Sequence, residues 1–194
     1  MINIVPVIIS GGVGSRLWPI SRALHPKPFI PLPEGGTLIG KTYARAVGLE
    51  GVDHVVTVTN RDLLFRPADE HAEVAAPGVK NTFLLEPFGR DTAAAVALAA
   101  LHVARQNPDA ILLVLPADHL IVDQAGFHAS VAKAASLAAS GQIVTFGVKP
   151  DRPETGFGYI EAERDRILRF AEKPNAARIT ICRLARPGRK NCQI

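Results

Sequence analysis

Short apolar runs of strand length alternate with stretches of helical periodicity along most of this chain, and that rhythm leaves few folds open. Residues 4–9, 55–58, 82–85, 110–115 and 143–148 read as strands. Residues 38–47, 63–74, 91–105 and 127–139 read as helices, with Pro67 near the start of the second and Asp91 placed to cap the third. The run 110–115 is continuously apolar, the pattern of a central parallel strand covered on both faces. Beyond residue 157 the rhythm changes: 158–162 and 166–171 read as two antiparallel strands at one side of the sheet, joined by the charged turn 163–165. Repeated strand-then-helix units predict an α/β fold, a three-layer, doubly wound, Rossmann-like sandwich on a mixed, mostly parallel sheet. In such sheets ligands bind beyond the carboxyl ends of the strands. The segments to read for function are therefore 10–28, 86–92, 116–123 and 149–158.

A length of 194 residues with 47% apolar composition suits one well-filled core. No apolar run is long enough to span a bilayer, and the amino terminus lacks a basic leader, so the expected setting is cytoplasmic, with no membrane partner. The net charge of +4 argues less for nucleic acid than its size suggests. Residues 175–194 hold Arg178, Arg183, Arg186, Arg189 and Lys190 and no acid; without those five, 17 basic residues face 18 acidic ones, a net of −1. A basic excess confined to a tail, without aromatic stacking residues, predicts no nucleic-acid partner. Cys182 and Cys192 lie in that tail at a spacing that fits no metal motif, and are expected reduced. His25, His54, His71, His102 and His128 show no mutual metal spacing.

Directly after the first predicted strand stands Gly11-Gly12-Val13-Gly14-Ser15-Arg16-Leu17-Trp18-Pro19. Three glycines in four positions let the backbone approach a ligand closely, and successive free N–H groups form a concave anion site. Arg16, Arg22 and Lys27 add positive charge, so a polyphosphate is the natural ligand. A tight strand-to-helix turn with solvated arginines is the bland alternative. The dinucleotide fingerprint fails here, because Leu17 stands where its third glycine belongs. Residues 35–42, GGTLIGKT, satisfy the P-loop pattern letter for letter. A P-loop must follow a buried strand, however, and Pro28, Pro31 and Pro33 break up the preceding segment. The segment is read instead as the start of a helix.

Six motifs in order extend the reading: 11–22 (GGVGSRLWPISR), 26–29 (PKPF), 86–93 (EPFGRDTA), 115–119 (LPADH), 157–160 (FGYI) and 172–174 (EKP). Over residues 3–174 the chain resembles the sugar-1-phosphate nucleotidyltransferases. Within them it is most similar to the mannose-1-phosphate guanylyltransferases, including forms fused to a mannose-6-phosphate isomerase. Ser15 replaces a frequent threonine and keeps the hydroxyl. The resemblance implies transfer of a guanylyl group from GTP to mannose 1-phosphate, with release of pyrophosphate. It implies that Gly11, Gly12, Gly14, Ser15, Arg16, Glu86 and Asp118 bind the nucleotide, and that Arg16, Lys27 and Asp118 act in the transfer. Asp118 would hold Mg²⁺, the implied cofactor. Gly158, Glu172 and Lys173 would bind the sugar phosphate. Each has a plainer alternative: Asp118 as a strand-end turn residue, Glu172-Lys173 as a solvated pair, Asp91 and Asp123 as helix starts, His119 as structural.

The resemblance ends near Pro174, where relatives continue with the rest of the sugar pocket and a second metal-binding aspartate. A nucleotidyltransferase domain over 1–174, incomplete at its carboxyl side, and a basic tail over 175–194 of non-native sequence are therefore expected, with weakened GTP binding and little turnover. Apolar surface left uncovered by such a shortening favours either association, as in a homo-oligomer, or poor solubility. The competing readings are a nucleotidyltransferase for another base or sugar, a non-catalytic nucleotide-binding subunit and, behind both, a P-loop phosphotransferase.

Overall fold

The computed structural model describes residues 2–10, 26–74, 76–89, 91–150, 152–164, 166–175 and 189–193. The chain divides into two compact units, 1–142 and 143–194. In the first, β1 (Ile4–Ser10), α1 (Leu38–Val47), β2 (His54–Asn60), α2 (Phe65–Val74), β3 (Lys80–Glu86), α3 (Asp91–Ala104), β4 (Ile111–Pro116) and α4 (Gln124–Ala139) follow in strict alternation. The four strands form a parallel sheet in the order β3-β2-β1-β4. The chain thus steps outward from β1 to β3, then crosses back to the far side of β1. That reversal creates a switch point between β1 and β4, where the loops after both strands leave the same edge of the sheet. The β1–β2 ladder begins at Val7, immediately after Pro6, which has no N–H to donate.

Two apolar layers cover the sheet. On one face Ile39, Tyr43 and Ala46 of α1 and Val131 of α4 pack with Ile8, Val55, Leu113 and Leu115. On the other, Ala95, Ala99 and Val103 of α3 meet Val5, Val7, Val56 and Val58. Alanine at the α3 contact positions brings that helix close to valines, whose branched side chains suit a strand covered on both faces. Fully burying a side chain such as Ile8 or Ile39 contributes about 1.5–3 kcal/mol.

Helix starts follow side-chain chemistry. Thr37 caps α1, its hydroxyl accepting from the Gly40 N–H at 3.2 Å and donating to the Glu70 carboxylate. Asp123 caps α4, accepting from the Gly126 N–H at 2.8 Å, and so starts that helix three residues before the periodicity alone indicates. A single 3-10 turn, Arg61–Leu63, precedes α2, which places Pro67 in its first turn, where a missing N–H costs nothing. Asp91 opens α3 with φ +64°, outside the extended region an N-cap usually takes; its charge still lies in the first turn, where the helix dipole favours it.

The second unit holds β5 (Tyr159–Glu163), β6 (Arg166–Ala171) and β7 (Arg189–Gln193) in an antiparallel sheet ordered β6-β5-β7. The hairpin expected over 158–171 is present, but in a sheet of its own rather than at one side of the parallel one. Two further expectations change. Among the described residues β4 ends the parallel sheet instead of lying at its centre, and Ile111, Leu112 and Val114 are only half-buried. A continuous apolar run reports coverage of the two faces, not the presence of a neighbour along the edge. The run 143–148 forms no strand; Val148 makes only an isolated bridge, and Ile143 and Val148 are 96% and 71% exposed. Apolar, β-branched composition is not sufficient for a strand without a ladder partner.

Candidate functional site

The carboxyl ends of the parallel strands carry the chemistry. Ile9 pairs with Pro116, and the Ala117 N–H donates to the Ile9 carbonyl at 3.0 Å, so the turn after β4 is pinned to the end of β1. Asp118 follows at once. Lys27 begins a 3-10 turn, Lys27–Phe29, that Pro28 and the buried Phe29 seat against the α1 layer. The result is a Lys27 Nζ–Asp118 Oδ2 contact of 2.9 Å between residues 91 positions apart in sequence. Both side chains are a little over one-third exposed, open enough to meet a ligand. The second Asp118 oxygen, Oδ1, has the His119 imidazole Nε2 at 3.9 Å.

The other nucleotide-site expectations divide in two. Gly11, Gly12, Gly14, Ser15 and Arg16 lie outside the described residues. Glu86 closes β3 at the same rim, nearly buried and in register with Asn60. At a strand spacing of about 4.8 Å it stands roughly 10 Å from β1 across the sheet.

The P-loop match dissolves on inspection of its hydrogen bonds. Gly35 and Gly36 form a tight turn at φ +88° and +71°, closed by Gly35 N–H to the Leu32 carbonyl (2.9 Å) and Leu32 N–H to the Gly36 carbonyl (2.8 Å). Gly40 lies inside α1, and the Thr42 hydroxyl is fully buried, donating to the Leu38 carbonyl at 2.9 Å. Neither a backbone cradle nor a free hydroxyl for a metal is left.

In the second unit, Gly158 stands immediately before β5, and Glu172 and Lys173 immediately after β6. The buried Tyr159 organises this region: its hydroxyl accepts from the Glu154 N–H and donates to the Glu154 carbonyl, both at 2.9 Å, tying down the loop that leads to Gly158. Glu172 Oε1 and Lys173 Nζ form an exposed pair at 3.3 Å. Lys173 has φ +40°, a left-handed conformation that a non-glycine residue before proline strongly resists. Such strain marks positions that their surroundings hold in place.

One residue that sequence reasoning passed over is Arg45. It lies in the row Leu38, Thr42, Arg45, a core-facing line of α1, and only 4% of it is exposed. Burial, with no carboxylate partner among the described residues, lowers its pKa. Its Nη2 donates to Thr42 Oγ1 at 3.1 Å and to the His119 carbonyl at 3.4 Å, and its guanidinium lies 5.4 Å from the Phe127 ring centroid. A charged residue in an otherwise uncharged helical row was the available signal. Among the described residues, no group of three or more His, Cys, Asp or Glu side chains forms a metal cage. No helix there is long and apolar enough to cross a membrane.

The sequence profile of the nucleotidyl transferase family matches residues 5–187. The xanthan biosynthesis protein XanB of Xanthomonas campestris pv. campestris (strain B100) is 44% identical over 182 residues, covering 91% of this chain and 38% of its own. A mannose-1-phosphate guanylyltransferase of Klebsiella pneumoniae is 41% identical over 184 residues, covering 90% and 38%. The structure described as a mannose-1-phosphate geranyltransferase from Thermus thermophilus superposes with a TM-score of 0.80 at 35% identity, over 98% of this chain and 57% of that one. The chain thus spans under two-fifths of the length of these curated relatives.

Proposed function

The chain belongs to the nucleotidyl transferase family, and on that premise we propose that it takes part in guanylyl transfer from GTP to mannose 1-phosphate, forming GDP-mannose and pyrophosphate. The observation that carries this reading is the Lys27–Asp118 pair, a cation and a carboxylate joined at the switch point of a parallel sheet. The similarity to a mannose-1-phosphate guanylyltransferase supports the choice of base and sugar.

In this reading a phosphate oxygen of mannose 1-phosphate attacks the α-phosphorus of GTP. The bond to the β-phosphate breaks, and pyrophosphate leaves with the bonding pair. The nucleophile is already ionised, so no general base is needed, and charge neutralisation and alignment dominate. Lys27 Nζ neutralises charge gathering on the leaving pyrophosphate, assisted by Arg16. The backbone of Gly11, Gly12 and Gly14 and the Ser15 hydroxyl cradle the triphosphate, and Glu86 lies toward the base. Gly158 leaves room for the hexose, Glu172 accepts from sugar hydroxyls, and Lys173 pairs with the sugar phosphate.

Asp118 would hold Mg²⁺. The donor set fits: one carboxylate, with one oxygen on Lys27 and the other without a hydrogen bond among the described residues, suits an ion that takes its remaining ligands from water and phosphate. When bound, that ion supplies positive charge to the phosphate oxygens. A cytoplasmic setting, in which GTP is available, and a homo-oligomeric assembly complete the proposal.

The test is pyrophosphate release from GTP, Mg²⁺ and mannose 1-phosphate, run beside ATP, UTP and dTTP. Release confined to GTP supports the reading. Equal or greater release with another nucleotide overturns the choice of base, and release with none overturns the transfer activity.

A further inference from the structure

We propose that Arg45 is a positioning residue that sets the turn carrying Asp118, acting through the His119 carbonyl rather than by touching a ligand. The proposal deepens the nucleotidyl-transfer reading and rests on it for its functional arm. Burying a guanidinium without a carboxylate is costly, and packing alone does not account for one, because a leucine or methionine would fill the row without that cost. The cost is offset by what its one well-used nitrogen connects. Nη2 bridges Thr42 on α1 to the carbonyl of His119, 74 residues from Arg45, while the guanidinium carbon lies 5.4 Å from the Phe127 ring centroid near the start of α4. The turn between β4 and α4 is therefore held at three places: at Ala117 by β1, at His119 by Arg45, and at Asp123 by its own cap on α4. Asp118 lies between the first two anchors. Its carboxylate meets Lys27 at 2.9 Å from a peptide anchored on either side. Lysine is the poorer substitute, because an ammonium is more strongly hydrated than a guanidinium and costs more to bury at this position.

Two measurements on the full chain decide the matter. Hydrogen exchange needs no ligand: Arg45→Met should raise exchange in residues 117–122 about tenfold while leaving β2 and β3 unchanged, the pattern of local opening. Arg45→Lys should restore only part of the protection. Uniformly faster exchange across the first unit, or an Arg45→Met chain that fails to fold, would make Arg45 a general core residue and overturn the proposal. The second measurement is GTP affinity in Mg²⁺, in a double-mutant cycle with Asp118→Asn. Outer residues that orient a metal ligand typically cost ten- to a hundredfold in affinity, so Arg45→Met should lose about tenfold in the native background and nothing further beside Asp118→Asn. Equal losses in both backgrounds would contradict action through Asp118. A native chain that binds no GTP defeats the transfer reading, while the exchange pattern still decides the role of Arg45.

Discussion

The two units place their candidate site residues by opposite means. In the first, Lys27 and Asp118 are 91 residues apart and meet because a packed parallel sheet, covered on both faces, fixes the turns that carry them. In the second, Glu172 and Lys173 are sequence neighbours after a strand of a small antiparallel sheet, and they lie exposed. Tyr159 and Ile160 are buried there, but Leu168 and Phe170 are 41% and 57% exposed. Residues placed by tertiary packing should be all-or-none in their response to mutation. Residues placed by local sequence should yield by degrees.

The largest effect expected from that contrast is at Asp118. Asp118→Asn keeps the shape and removes the charge, and should lower pyrophosphate release by about a hundredfold or more, as removal of a preorganised electrostatic group does. A loss under tenfold, read in the same assay, would show that the packed first unit is not the centre of the chemistry.

The next effect concerns the stability of the packed unit. His71 is buried between Tyr43 (centroids 3.9 Å apart) and Phe83 (5.4 Å), with no hydrogen-bond partner for either ring nitrogen among the described residues. Burial lowers its pKa to about 4, against 6.5 for an exposed imidazole. The folded protein holds this ring neutral, whereas the unfolded chain takes up a proton below pH 6.5. Stability is therefore fully present above pH 6.5 and declines as the pH falls toward 4, by about 3 kcal/mol over the window. Urea unfolding between pH 7 and 4 should show that decline, and His71→Phe should remove most of it. An unchanged slope in the variant would assign the acid sensitivity to other groups.

In the second unit, Lys173→Ala should raise the mannose 1-phosphate concentration needed for half-maximal rate about tenfold, the value of one charge-assisted contact, and leave GTP affinity alone. A parallel loss of GTP affinity would contradict that separation of roles. The smallest effect lies at a cap: Asp123→Ala should cost about 1 kcal/mol of unfolding free energy, the usual worth of an N-cap. A much larger loss, measured by the same urea titration, would mean that Asp123 does more for the β4–α4 turn than start a helix.

Most of the parallel fold was legible in the sequence, because each strand and helix announces itself by its own periodicity. The position of β4 was not, since periodicity says which faces are covered and nothing about the neighbour along the edge. The run 143–148 misled for the same reason: ladder partners are a property of the whole chain. At the site, Asp118 and Lys27 were readable from the motifs around them, but their contact was not, because it depends on Ile9 and Pro116 standing in register. The P-loop lookalike shows the converse. Its letters were complete, yet the Leu32–Gly36 turn and the Thr42–Leu38 bond consume the groups a phosphate would need. Arg45 escaped notice because a lone arginine on a helix usually reaches water, and only the packing of α1 against α4 reveals that this one does not.

The central claim is that the nucleotide is held at the switch point by Lys27 and Asp118, and not by the glycine–lysine segment at 35–42. Calorimetric titration of GTP with Mg²⁺ into Lys27→Ala and Lys41→Ala tests it most directly. The account predicts that Lys27→Ala loses at least about tenfold in affinity while Lys41→Ala, altered at an exposed helix position, binds as the native chain does. Loss of binding in Lys41→Ala with retention in Lys27→Ala would contradict it.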